Sequence, residues 1–248
     1  TVPGGGGFGH EPTMARMVTE HAGEFDAFID TSHTHALANA CGTLPGLAWF
    51  EDCESYPARC GVFVSAYTRA RVGQAGEIVY NAVVPDEYPL YTGPREGLLW
   101  MALNVPYKGQ STARVAAQLA GMPLAVYGTG TTNGPLLGAA KIAALQHAAA
   151  YLFTSSADAG PQTPLEAMAC GTPVVALARG GTPEYVTDGV NGYLCEDAHA
   201  LANAAIEHAG KLNATAIRQS VIDGGFTVER QADEMLALLA RVIGGERW

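Results

Sequence analysis

Residues 139–177 read AAKIAALQHAAAYLFTSSADAGPQTPLEAMACGTPVVAL. Ala139–Ala149 has the length and spacing of a helix, and Tyr151–Thr154 is a short apolar run of strand length. A loop rich in Ser, Gly and Pro follows, then a helix start at Pro164–Ala169 and a second apolar run at Pro173–Leu177. The same alternation extends upstream through a strand at Leu98–Leu103, a helix at Ser111–Ala120 and a strand at Pro123–Tyr127. Downstream it gives a short helix at Thr182–Val186, a strand at Gly192–Cys195 and helices near His199–Ala209, Thr215–Ile222 and Val228–Ile243. Strands alternating with helices predict parallel βαβ units in a doubly wound α/β sheet.

The first third is less regular. Apolar runs at Phe25–Ile29, Leu47–Phe50, Val62–Ser65 and Ile78–Tyr80 predict strands joined by brief connections, after a helical stretch at Pro12–His21. No strand precedes the glycine run Gly4–Gly7, so the sequence reads as though it opens after the first strand of such a domain. The segment PLYTGPRE, Pro89–Glu96, combines two prolines with a glycine and predicts a boundary between domains at 1–92 and 93–248.

Composition excludes several classes. With 48% apolar and 15% charged residues over 248 positions, the chain is neither disordered nor short of core. A net charge of −10, with no basic cluster beyond Arg69 and Arg71, excludes a nucleic-acid footprint. No run of 18 apolar residues predicts a membrane span, and Thr1–His10 lacks the features of a signal peptide, so a cytoplasmic protein is expected. The five cysteines, Cys41, Cys53, Cys60, Cys170 and Cys195, are odd in number and form no CxxC, which predicts reduced thiols. A cluster of Cys41, Cys53 and Cys60 with His33 or His35 lacks paired zinc spacing, and no metal is expected.

In doubly wound sheets ligands bind beyond the carboxyl ends of the strands, which directs attention to four loops. NVPYKG, Asn104–Gly109, places Lys108 beside a glycine at a helix N-terminus, a charge suited to phosphate. SSADAGPQT, Ser155–Thr163, carries Asp158, eight residues before Glu166 in the first turn of the expected helix. A carboxylate near a helix N-terminus stays ionised and can accept two hydrogen bonds from a sugar diol. Arg179-Gly180-Gly181-Thr182 opens a further helix through glycines that allow close backbone approach. The fourth loop, Gly128–Gly138, reads GTGTTNGPLLG.

Together and in this order these segments are specific. PLEAMACGTPVVALARGGTPEYVTDGVNGYLCED, Pro164–Asp197, resembles the donor-binding half of retaining glycosyltransferases of the GT-B fold, more narrowly the family-4 or group 1 type. GVFVS at 61–65, IVYN at 78–81 and the Leu98–Gly109 segment also resemble pieces of that family. The resemblance implies two Rossmann-like domains: a shortened or incomplete acceptor-side domain, and a nucleotide-sugar donor domain with a C-terminal crossing helix. It implies metal-independent sugar transfer with retention (an EC 2.4 activity) from a UDP-, GDP- or ADP-sugar to an unidentified acceptor, with no cofactor.

The resemblance gives Lys108 to the donor diphosphate, Asp158 to the transferred sugar and Glu166 to the ribose, the two acids standing at the spacing of the family's E-x7-E motif. Asn104, Gly160, Gln162, Thr163, Leu165 and Leu145 would line the donor, with Gly6 and Gly7 reaching its phosphates. His33 and His35 would face the sugar or acceptor. The sequence departs from the family pattern at Asn104, at Asp158, one methylene shorter than glutamate, and at Pro161, which has no N–H. A non-catalytic relative that binds a sugar nucleotide or a partner is the alternative. An epimerase or phosphorylase on the same scaffold would need a catalytic acid or cofactor lysine, and no candidate stands out.

Overall fold

The computed structural model describes residues 20–31, 44–51 and 60–248 of the chain. It divides into two compact units, one made of Thr1–Tyr80 with Ala232–Trp248, the other of Asn81–Gln231. The described strands of the first unit are β1 Phe28–Asp30, β2 Gly46–Phe50, β3 Gly61–Phe63 and β4 Gly76–Ile78, with helix α1 Ala66–Val72 between the last two. The second unit holds β5 Leu98–Met101, α2 Gln110–Ala120, β6 Leu124–Tyr127, α3 Gly138–His147, β7 Ala150–Phe153, α4 Gln162–Ala169, β8 Val174–Leu177, β9 Gly192–Cys195, α5 Ala198–His208 and α6 Ala214–Asp223. The last helix, α7 Val228–Ile243, starts in the second unit and runs into the first.

In the first unit all four strands are parallel, in the order β1-β2-β3-β4. Strand β1 begins three residues later than the sequence predicts, leaving Phe25 exposed, and Asp30 is fully buried at its end. A brief connection was expected between β3 and β4, and helix α1 stands there instead. It has only seven residues and buries only Thr68 and Val72, too little to leave an apolar periodicity. Its caps are the readable signal: Ser65 Oγ accepts from the Thr68 N–H at 3.0 Å, and Gly73 closes the helix at φ 72°. On the unit's core, Leu47, Cys60, Val62 and Val79 pack with Met235, Leu238 and Val242 of α7. Those three recur at helical spacing, so one stripe of α7 faces the sheet.

The second unit has five parallel strands in the order β6-β5-β7-β8-β9. The strands are buried along their length at β5, β7 and β8, because helices cover both faces. Helix α2 packs on α5, and α4 on α6. Ala113, Ala116 and Ala117 of α2 join Ala204 and Ala205 of α5 in the core, and these small side chains admit close helix approach. The runs predicted as strands in this half are strands, with ends differing by up to two residues. The architecture is α/β with two parallel sheets, as the alternation of elements predicts.

One feature of the sequence reading changes place. Pro89–Glu96 lies inside the second unit, fastened by the Arg95 guanidinium to the carbonyls of Tyr91 at 2.6 Å, Cys170 at 2.9 Å and Gln146 at 2.5 Å, and to Thr172. The chain changes unit at Tyr80–Asn81. Among the described cysteines, Cys60, Cys170 and Cys195 are buried free thiols, and burial pushes those of Cys170 and Cys195 up to about 11. Cys41, Cys53, His33 and His35 lie outside the described residues. Among the described residues no helix is long and apolar enough to cross a membrane.

Strand β7 is central to the second sheet, and Leu152 on it is fully buried in the core. Leu152→Ala is expected to lower unfolding free energy by about 2–5 kcal/mol. Urea unfolding followed by tryptophan fluorescence checks this.

Candidate functional site

The strand order creates the site. Strand β5 pairs with β6 on one side and β7 on the other. The chain therefore leaves β5 for one side of the sheet and returns on the other, the reversal beyond whose strand ends doubly wound sheets take their ligands. Helices α2, α3 and α4 each follow a strand of this parallel sheet, so their N-termini share the same edge. None of the three has a side-chain cap, whereas α5 and α6 are capped by Asp197 and Asn213. Uncapped N–H groups at one edge favour an anion.

The β5 and β7 loops are locked together. Pro106–Lys108 forms a single 3-10 turn that Gly109 ends at φ 72°. A Cβ on Gly109 would lie 2.2 Å from the Thr154 carbonyl oxygen, so only glycine fits. Thr154 Oγ1 donates to the Gly109 carbonyl at 2.8 Å and accepts from Trp100 Nε1 at 3.0 Å. The Ser156 N–H donates to the Tyr107 carbonyl at 2.8 Å. This clasp brings Lys108 Nζ to 2.5 Å from Asp158 Oδ2, with the Tyr107 ring centroid 5.3 Å from the ammonium.

The β8 loop supports Asp158 from behind. Gly180 has φ 60°, and a Cβ there would lie 2.5 Å from the Asp158 carbonyl oxygen and 2.7 Å from its nitrogen. The Gly181 N–H donates to the Asp158 carbonyl at 2.8 Å, and Asn81 Nδ2 donates to the Gly160 carbonyl at 2.9 Å.

The second carboxylate is held differently from the sequence expectation. Helix α4 starts at Gln162, which puts Glu166 in its second turn rather than its first. The end charge of the helix is weaker there, and a side chain takes over its role. Lys141 Nζ, from the first turn of α3, lies 2.7 Å from Glu166 Oε1 and 2.6 Å from Oε2. Tyr88 Oη donates to Oε1 at 2.8 Å. Glu166 is only 5% exposed, and a carboxylate this buried requires such partners. Burial, and then the Glu166 carboxylate, push the Tyr88 hydroxyl far above its ordinary range, so it remains a donor. Both acids act on the buried Tyr151 hydroxyl, whose pKa is raised chiefly by burial and further by Glu166 and Asp158. Each carboxylate of the pair thus has its own lysine.

The other expected residues are placed as follows. Asn104 Nδ2 donates to the Gly130 carbonyl at 2.9 Å and fastens the β5 loop to the β6 loop. Gln162 Nε2 donates to the Ala82 carbonyl at 2.8 Å, and the Tyr151 hydroxyl, near Thr163, donates to the Met101 carbonyl at 2.7 Å. Leu145 of α3 and Leu165 of α4 are fully buried. Gly6, Gly7, His33 and His35 lie outside the described residues.

Sequence reasoning missed Lys141 and Tyr88. Lys141 had a signal: a basic side chain in the first turn of a helix opposes the helix dipole and calls for a partner. Tyr88 had none.

Residues 137–216 match the family model described as Glycosyl transferases group 1, a span that contains Lys141, Asp158, Glu166 and Gly180. Seventy-eight residues are 44% identical to the D-inositol 3-phosphate glycosyltransferase of Geodermatophilus obscurus, covering 29% of this chain and 17% of that one. The match to the protein of the same name from Mycobacterium marinum is 39% identical over 87 residues, 32% of this chain and 19% of the other. The matches thus span less than a fifth of these curated relatives. Among solved structures, the chain resembles AviGT4, a glycosyltransferase involved in avilamycin A biosynthesis, with TM-score 0.85 and 18% identity over 97% of this chain and 80% of that one. The fold is that of the GT-B glycosyltransferases. Anabaena Alr3699/HepE, solved in complex with UDP, matches at TM-score 0.74 and 19% identity over 92% of this chain and 82% of its own.

Gly180→Ala should cost more than the roughly 1–2 kcal/mol of a left-handed backbone, because the new Cβ meets Asp158 backbone. Gly189→Ala, at φ 74° with nothing within 4 Å, should cost only the backbone term. Urea unfolding of the two variants side by side measures the difference.

Proposed function

We propose that the second unit binds a nucleotide-sugar donor at the β5–β7 crevice, and that the chain transfers the sugar to an acceptor with retained anomeric configuration and without a metal ion. One observation carries this reading: two carboxylates eight residues apart, Glu166 buried and Asp158 partly buried, each meet a lysine at the edge where a doubly wound sheet takes its ligand. The family match over residues 137–216 covers the same carboxylates. In this reading residues up to Tyr80 provide the acceptor side, and Asn81–Gln231 the donor side.

The chemistry follows from the residues. Lys108 turns from Asp158 to the donor diphosphate, where its charge and the uncapped N-termini of α2 and α4 stabilise the negative charge that develops as the bond from the sugar C1 to phosphate breaks. Asp158 is then free to accept hydrogen bonds from the transferred sugar, and Glu166 from the ribose diol. The acceptor oxygen bonds C1 on the face the diphosphate leaves, and the diphosphate oxygen takes the acceptor proton. Attack on that face retains configuration and requires no protein nucleophile. UDP-sugars are the first donors to test, because UDP occupies the Anabaena neighbour, followed by GDP- and ADP-sugars.

A thermal-shift titration of the full chain with UDP, GDP, ADP and their sugars tests the donor site. A nucleotide at 100 times its Kd should add about 2.7 kcal/mol of stability. Lys108→Met should lower donor turnover, read as release of the nucleoside diphosphate, by about 100-fold or more. Absence of a shift with every nucleotide, or unchanged turnover in that variant, overturns the reading.

A further inference from the structure

Lys141 has two properties that a surface ion pair lacks. Its position in the first turn of α3 sets its charge against the helix dipole, so isolated helix energetics disfavour it there. Its ammonium touches both oxygens of Glu166, at 2.7 and 2.6 Å, although that carboxylate is almost wholly buried. Glu166 Oε1 has two donors, Lys141 and Tyr88. Oε2 is buried and has only that ammonium beside it, at 2.6 Å and without hydrogen-bond alignment. The carboxylate is therefore held at Oε1 by two donors and at Oε2 by the charge of Lys141 alone.

We infer that Lys141 is a positioning residue for Glu166: with Tyr88 it fixes Oε1 and balances the buried charge, so that Oε2 is presented to a vicinal diol of the ligand. The inference rests on the donor-site reading above and deepens it by assigning a second lysine to ribose recognition. When the diol arrives, the ammonium keeps its bond to Oε1 and yields its place on Oε2 to the hydroxyls. Two acceptances by an ionised carboxylate are charge-assisted and stronger than neutral ones. Loss of the lysine leaves a buried carboxylate with a single donor, whose orientation and charge are no longer set. Arginine can span both oxygens and should keep much of the effect.

The test separates the diol from the rest of the nucleotide. Calorimetric titration of the full chain uses whichever of UDP, GDP and ADP binds most tightly, and the 2′,3′-dideoxy form of the same nucleotide. The wild-type chain should prefer the natural nucleotide by about tenfold or more, the scale of hydrogen bonds to a charged group. Glu166→Gln and Lys141→Met should both shrink that ratio towards one while leaving dideoxy binding near the wild-type value. Lys141→Arg should retain most of the ratio. Tyr88→Phe, which removes only one hydroxyl, should reduce it partially and serves as the mild variant if Lys141→Met does not fold. Equal weakening of both nucleotides in Lys141→Met shows a merely structural lysine and overturns the inference, as does a ratio that collapses in Glu166→Gln alone. A wild-type chain that binds both forms equally overturns it while leaving the donor site standing. A wild-type chain that binds none of the three nucleotides overturns the donor-site reading and this inference together.

Discussion

Two carboxylates at one edge of a parallel sheet, one buried and one partly buried, must be balanced, and the arrangement of the second unit follows from how this is done. Asp158 and Glu166 are close in sequence, on the loop and helix that follow β7. Their partners come from other crossovers: Lys108 from the β5 loop and Lys141 from the start of α3. Water reaches the buried Glu166 carboxylate poorly, so a cation and a hydroxyl take its place. The result is a site whose charges balance internally while each lysine stays partly exposed.

That balance depends on backbone positions fixed to tenths of an ångström. Thr154 at the end of β7 ties the Lys108 turn to the neighbouring strand, and Trp100 on β5 donates to the same hydroxyl. Gly109 and Gly180 bring backbone against backbone where any side chain would collide. The lysine–carboxylate contacts are therefore consequences of loop clasps rather than chance meetings of long side chains. Below them, a core of alanine-rich helices α2 and α5 and apolar strands holds the loops' anchors in place.

Much of this was legible from residue order. Apolar runs of strand length between helical stretches predict the second unit's strands to within two residues at their ends, because strands covered on both faces leave continuous apolar runs. Lys108, Asp158 and Glu166 stand out as charges in loops and helix starts after such strands. Legibility fails where an element is short or contacts are distant. Helix α1 is too short to show a period, although its caps Ser65 and Gly73 mark it. The two-residue difference at the start of α4 puts Glu166 in the second turn and hides the need for Lys141.

The sequence by itself determined the α/β class, the order of elements and the types of side chain available to the site. Periodicity and turn chemistry are local, and local patterns suffice for these. Only the tertiary structure decided that β5 lies between β6 and β7, that Lys108 meets Asp158 and that Lys141 and Tyr88 grip Glu166. Strand order, the pairing of charges 25 and 50 residues apart and a hydrogen bond across 78 residues depend on packing of the whole unit, which no local pattern encodes.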